Sequence, residues 1–204
     1  MTYITKIRSN GRTYTVRDNR DRFFYPNEWE KFLQKVKPSK QYLFLTLLQT
    51  GGRISEVLNI VPKDFDFDRL TLTLRITKVK AKKGERVGRP RTFKVSERFV
   101  KQSKRYIREN NIKDEEKLFK ITSTAVYQMF IRKLDLTELD SKDFGLHNIR
   151  KTCGNWLKAL STPPEEICLR LGHDYNTYLK HYASANIFNF DDRQAMERIW
   201  GKIY

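Results

Sequence analysis

Leu171-Gly172-His173-Asp174-Tyr175-Asn176-Thr177-Tyr178-Leu179-Lys180-His181-Tyr182 is the stretch around which the rest of the chain can be ordered. A short, mostly apolar run, Ile167 to Leu171, precedes Gly172, and a glycine there can end a helix and turn His173 back toward the body. From Asn176 onward the residues suit a new helix capped by Asn176, which sets Tyr178 and Tyr182 on one face. Taken alone, this is a helix–turn–helix core piece with aromatic filler. Two polar constellations upstream change its meaning.

The 204 residues suit one domain, or one domain with a small appendage, and 39% are apolar, enough for a real core. Lys and Arg number 41 against 24 Asp and Glu, a formal charge of +17 with a pI near 9.9. Such a charge points to a polyanion, because neutralising phosphates drives sequence-independent binding. A ribosomal-type RNA binder or a ligand of anionic membranes would share that signature. No apolar stretch approaches the roughly 20 residues of a membrane span, and the N-terminus has no apolar signal run. An intracellular place is expected: cytoplasm or nucleoid, or a host cell if the protein is viral. The two cysteines, Cys153 and Cys168, fall on apolar helical patterns and read as reduced core residues. No Cys/His cluster has zinc spacing and no glycine-rich phosphate loop is present, so neither metal nor cofactor is expected.

Tyr3 to Arg17 alternates around Ser9-Asn10-Gly11, which predicts a small N-terminal β-ribbon. A helix starts at Pro26 with Trp29, Phe32, Leu33 and Val36 and stops at Pro38. Gln41 to Gln49 is almost wholly apolar and reads as a buried helix, broken by Thr50-Gly51-Gly52 before a third from Arg53 to Ile60. Leu70, Leu72, Leu74 and Ile76 alternate as a half-buried strand, with Arg91 to Val95 as its return partner. Further helices are expected near 97–110, 122–134, 146–160 and 163–171. A tail from Asp191 carries Met196, Ile199, Trp200 and Ile203 on one stripe. The fold class expected is mainly α with a small antiparallel β-sheet.

Arg75 to Arg108 holds fourteen Lys and Arg against Glu85 and Glu97. This excess sits on a hairpin and the following helix, where it can enter a groove and track phosphates. Lys80, Lys82, Lys83, Arg86, Arg89 and Arg91 are the candidate DNA contacts. The first polar constellation is Thr50-Gly51-Gly52-Arg53-Ile54-Ser55-Glu56, with Arg53 opening a helix whose first turn holds Ser55 and Glu56. The second is His147-Asn148-Ile149-Arg150, whose His and Arg share a helical face and can grip one group.

In order the chain reads Arg-x-Ser-Glu, a lysine-bearing hairpin, His-x-x-Arg, Leu-Gly-His and a tyrosine nine residues later. From about Pro26 to Ala183 this resembles the catalytic domain of the tyrosine recombinase (phage integrase) family. The resemblance implies that Arg53, His147, Arg150 and His173 surround a scissile phosphate and that Tyr182 is the nucleophile. Two arginine forks can stabilise the charge that grows on the phosphate without a metal. His147 is the candidate base, His173 a donor to a phosphate oxygen, and a hairpin lysine the acid for the departing 5′-oxygen. Lys78, 25 residues after Arg53, suits that role better than Lys80 or Lys82. Tyr175 and Tyr178 read as core filler, and His181 as helix surface or a DNA contact.

By this reading residues 1–22 form the ribbon and connector, 23–190 the catalytic domain and 191–204 a helical tail. Double-stranded DNA is the implied partner, with self-association into a dimer or tetramer on it. The tail docks either on its own domain or on a neighbour. A type IB topoisomerase uses similar chemistry, and a non-catalytic basic binding module is the rival of another class. Gly52 departs from the Leu or Met usual before the first arginine, which would loosen packing there. Only about 25 residues precede the catalytic fold, where the family carries a helical DNA-clamping domain. An isolated catalytic piece, a split or minimal recombinase, and a ribbon that does part of that job are all compatible; an archaeal viral integrase is one compatible source.

Overall fold

The computed structural model describes residues 3–7, 11, 13–17, 22–75, 90–137, 139, 144–182 and 187–201. β1 (Tyr3–Ile7) and β2 (Thr13–Arg17) form the expected antiparallel ribbon, with Tyr3 opposite Arg17 and Ile7 opposite Thr13. Gly11 takes φ +77° in the connection, while Ser9 and Asn10 lie outside the described residues. The elements that follow are α1 (Pro26–Lys35), α2 (Pro38–Thr50), α3 (Ile54–Val57), a 3₁₀ turn (Pro62–Asp64), β3 (Phe65–Asp66), β4 (Thr71–Leu74) and β5 (Arg91–Lys94). Then come α4 (Glu97–Glu109), α5 (Ser123–Leu134), α6 (Leu146–Ala159), α7 (Pro164–Leu171), α8 (Tyr175–Tyr182) and α9 (Phe190–Trp200). The class is as expected, mostly helix with one small sheet beside the ribbon.

α2 is the axis. Tyr42, Leu43, Phe44, Leu47 and Leu48 are all buried, so neighbours cover it on every side. It begins at Pro38, where the first helix was expected merely to stop, because the first helical position needs no N–H. α3 is one turn, shorter than expected, since the Asn59 side chain donates from Nδ2 to the Ser55 carbonyl at 2.8 Å and Pro62 soon opens the 3₁₀ turn. The sheet runs β3-β4-β5, antiparallel, with Leu72 opposite Phe93 and Leu74 opposite Arg91. β3 is a two-residue strand that the sequence pattern did not suggest, and Ile76 lies outside the described residues.

Residues 22–25 fasten the start of the core to α6. The Phe24 N–H donates to Thr152 Oγ1 and its carbonyl accepts from Trp156 Nε1, both at 2.9 Å. Asn148 Nδ2 donates to the Arg22 carbonyl at 2.6 Å, and Arg22 pairs with buried Glu28 at 3.2 Å. Phe188, just before α9, packs its ring 5.2 Å from that of Tyr25.

α9 lies on α1 and α6 of its own chain. Met196 and Trp200 are fully buried in the same apolar cluster as α2, so the tail is a wall of the core. The Trp200 carbonyl accepts from Gln49 Nε2 at 2.9 Å and from Ser96 Oγ at 2.6 Å. Of the two dockings weighed for the tail, this is the one on its own domain; Ile203 lies outside the described residues. Among the described residues no helix is long and apolar enough to cross a membrane.

Trp200→Ala should therefore lower stability by about 3–5 kcal/mol, since a fully buried indole is removed from the core. Equilibrium urea unfolding measures this directly. A tail resting loosely on the surface would give a loss near zero.

Candidate active site

The end of α7 accounts for each of its last four carbonyls. His173 N–H donates to Cys168 O at 3.0 Å and Gly172 N–H to Leu169 O at 3.2 Å, a Schellman turn with Gly172 at φ +60°. The other two carbonyls go to arginines. Arg91 Nε donates to Arg170 O at 2.8 Å, and Arg150 NH2 donates to Leu171 O. Arg150 NH1 meanwhile donates to Gly51 O at 2.7 Å, just past the end of α2. One guanidinium, 2% exposed, thus joins a carbonyl two residues before Arg53 to one two residues before His173. Gly51 is required here twice over: φ is +58°, and a Cβ would run into Leu171 and Cys153.

Arg53 opens α3 with its side chain 46% exposed. Glu56, buried, accepts from the Arg53 N–H at 2.8 Å and from Arg53 NH1 at 3.0 Å. Its oxygens also take Arg91 NH1 at 3.2 Å and NH2 at 2.6 Å. Burial alone would raise the Glu56 carboxyl, but bonds from Arg91 and Arg53 bring it below its ordinary value. Gly52 does not loosen this corner. The space of a Cβ there is already taken by Leu74 and Val57, each 2.9 Å away.

His147 is exposed in the first turn of α6, one turn before Arg150. His173 is half-buried at the turn into α8. The cap of α8 is Asp174, not Asn176: its Oδ1 accepts from the Thr177 N–H at 2.8 Å and its Oδ2 from the Thr177 hydroxyl at 2.9 Å. α8 therefore starts earlier than expected and ends at Tyr182. Tyr178 is buried as core filler, whereas Tyr175 is 53% exposed, stacked on Tyr178 at 5.8 Å. The side chains of His181 and Tyr182 lie outside the described residues, as do Lys78, Lys80, Lys82, Lys83, Arg86 and Arg89. Arg150 thus ties the backbone two residues before Arg53 and two before His173 to α6, one turn past His147, with its NH1 and NH2 spent on those carbonyls rather than presented as the expected fork for a phosphate.

Arg91 corrects the sequence reading. It is 5% exposed with its guanidinium committed to Glu56 and Arg170 O, so it is not available to DNA. β5 alternates, with Arg91 and Phe93 inward and Thr92 and Lys94 outward, and that pattern was the missed signal. Arg170 was missed as well. It is 2% exposed, donates to Gln49 O at 2.8 Å and to Lys94 O, and lies 4.5 Å over the Phe93 ring. Burial brings its guanidinium down to about 10 and pushes the Cys153 thiol up to about 12. Cys153 is a free, buried core thiol as expected, but Cys168 is only half-buried. Among the described residues no group of three or more His, Cys, Asp or Glu could hold a metal ion.

Glu56→Ala should cost about 3–5 kcal/mol, because it strands the buried Arg91 charge. A carboxyl held below its usual value of 4.5 contributes stability fully above that pH and loses it as pH falls through the folded value. The gap between wild type and variant should thus be widest near neutrality and close in acid. Urea midpoints from about pH 7 down to about pH 3 check this sign.

The family model described as the phage integrase family matches residues 22–187. A comparison with curated proteins gives no match. The solved structure of the Tn1549 transposon integrase in complex with circular intermediate DNA is similar at a TM-score of 0.62 and 23% identity, over 88% of this chain and 67% of that one. XerA recombinase gives 0.63 at 18% identity, over 90% and 66%. The integrase from mycobacterium phage Brujita gives 0.57 at 14% identity, over 92% and 60%. The chain thus spans between 60% and 67% of the length of these structures, and identities so low speak for the fold alone. With a match running from the segment that anchors α6 to the residues that lead into α9, this chain belongs to the phage integrase (tyrosine recombinase) family.

Proposed function

We infer that the protein is a site-specific DNA recombinase that cleaves and rejoins double-stranded DNA through a 3′-phosphotyrosine on Tyr182. The observation that carries this is the double bond-holding of Arg150, which draws the Arg53 corner and the His173 turn to the helix that bears His147. A binding module has no need for that convergence.

In the proposed step the Tyr182 oxygen attacks the scissile phosphorus and the bond to the 5′-oxygen breaks. A phenol of pKa near 10 is a weak nucleophile at neutral pH, so His147 takes its proton. Charge growing on the non-bridging oxygens is met by Arg53, whose exposed guanidinium is braced from behind by Glu56. Arg150 adds fixed positive charge from below, and His173 donates to an oxygen. Lys78 protonates the departing 5′-oxygen. Lys80, Lys82, Lys83, Arg86 and Arg89 hold the backbone on either side. The phosphotyrosyl bond keeps the energy of the broken phosphodiester, so rejoining to another strand runs by reversal without ATP. Exchange between strands calls for two or four protomers on the DNA. In the single chain Met196 and Trp200 pack inside their own domain.

A nicked suicide DNA substrate, which traps the covalent adduct, tests the reading. Wild type should form the adduct, and Tyr182→Phe should bind DNA equally and form none. Arg53→Ala should slow adduct formation by about 10²–10³-fold at nearly unchanged DNA affinity. Arg53 is the cleaner choice, because truncating Arg150 would also strand the Gly51 and Leu171 carbonyls. Adduct formation by Tyr182→Phe, or parallel loss of affinity and rate in Arg53→Ala, would sink the assignment.

A further inference from the structure

Arg170 belongs to no motif, yet it sits where the site's supports cross. Its NH1 holds Gln49 O at 2.8 Å, four residues before Arg53, and its NH2 holds Lys94 O on β5. Its own carbonyl takes Arg91 Nε at 2.8 Å, Arg91 grips Glu56 at 2.6 Å, and Glu56 holds the Arg53 N–H at 2.8 Å. The path from Arg170 to Arg53 is therefore closed on both sides, through α2 and through β5. Three residues after Arg170 comes His173. A buried charge is a poor route to stability, since apolar replacements of equal volume are often neutral or better. A planar fork that holds two carbonyls at once is a good route to fixed geometry.

We propose that Arg170 is a positioning residue, which sets Arg53 relative to the His173 turn through the Gln49 carbonyl and the Arg91–Glu56 pair. The proposal rests on the recombinase reading above. Arg170→Lys keeps the charge and can hold one carbonyl; Arg170→Met keeps the length and neither bond. Arg170→Lys leaves one buried carbonyl unpaired and should lower the melting temperature by a few degrees at near wild-type DNA affinity, while the single-turnover adduct rate falls by about tenfold; Arg170→Met should fall further, toward about a hundredfold. The decisive readout is coupling. Placed on Arg53→Ala, the Arg170→Lys change should cost little more, since the group it positions is gone.

The outcomes separate cleanly. No adduct from wild type removes the recombinase reading and this proposal with it. A normal wild-type rate with an unchanged rate in both Arg170 variants removes the proposal alone. Equal fold-losses with and without Arg53, or loss of the fold in Arg170→Lys, assign Arg170 to general stability and overturn it as well.

Discussion

An α-helix ends in carbonyls that have no partner within the helix, and burying such an end demands donors from elsewhere. In this protein the ends of α2 and α7 are both buried, and they meet at the guanidinium of Arg150. Arg170 and Arg91 serve neighbouring carbonyls of the same two ends. Each arginine meets the negative pole of a helix, so the dipoles partly offset the cost of burying cations. The result is a floor of fixed positive charge with one buried acid, Glu56, set into it.

The candidate site residues stand on that floor. Arg53 stands at the rim, its inner face held by Glu56 and its outer face in solvent. His147 projects from the head of α6, which residues 22–25 pin through Thr152, Trp156 and Asn148. His173 follows a turn whose backbone is tied at all four terminal carbonyls of α7. Position comes from bonds that buried arginine side chains make to main-chain carbonyls.

The order of the polar constellations was legible because it is written in spacing, and so was the helical class, which follows from apolar periodicity. What stayed hidden depends on partners far along the chain. Arg170 interrupts an apolar run, and nothing local says that Gln49 O and Lys94 O will be waiting for it. Arg91 sat in a crowd of cations and was read with them, although the strand alternation already turned it inward beside Phe93. Asp174 outcompeted Asn176 as a cap because its two oxygens reach both the N–H and the hydroxyl of Thr177. For the tail, the stripe was visible but its destination was not, since that is set by the gap between α1 and α6.

Trp200 has a consequence in time as well as in space. Its ring lies against Trp156 and its carbonyl joins the last turn of α2 to the head of α4. During vectorial synthesis Arg53, His147, His173 and Tyr182 all leave the ribosome before it does. A nascent or prematurely stopped chain would thus carry every motif while its core stood open, and domains generally fold as units. The chain is closed into shape by a residue that follows every one of the candidate site residues in sequence.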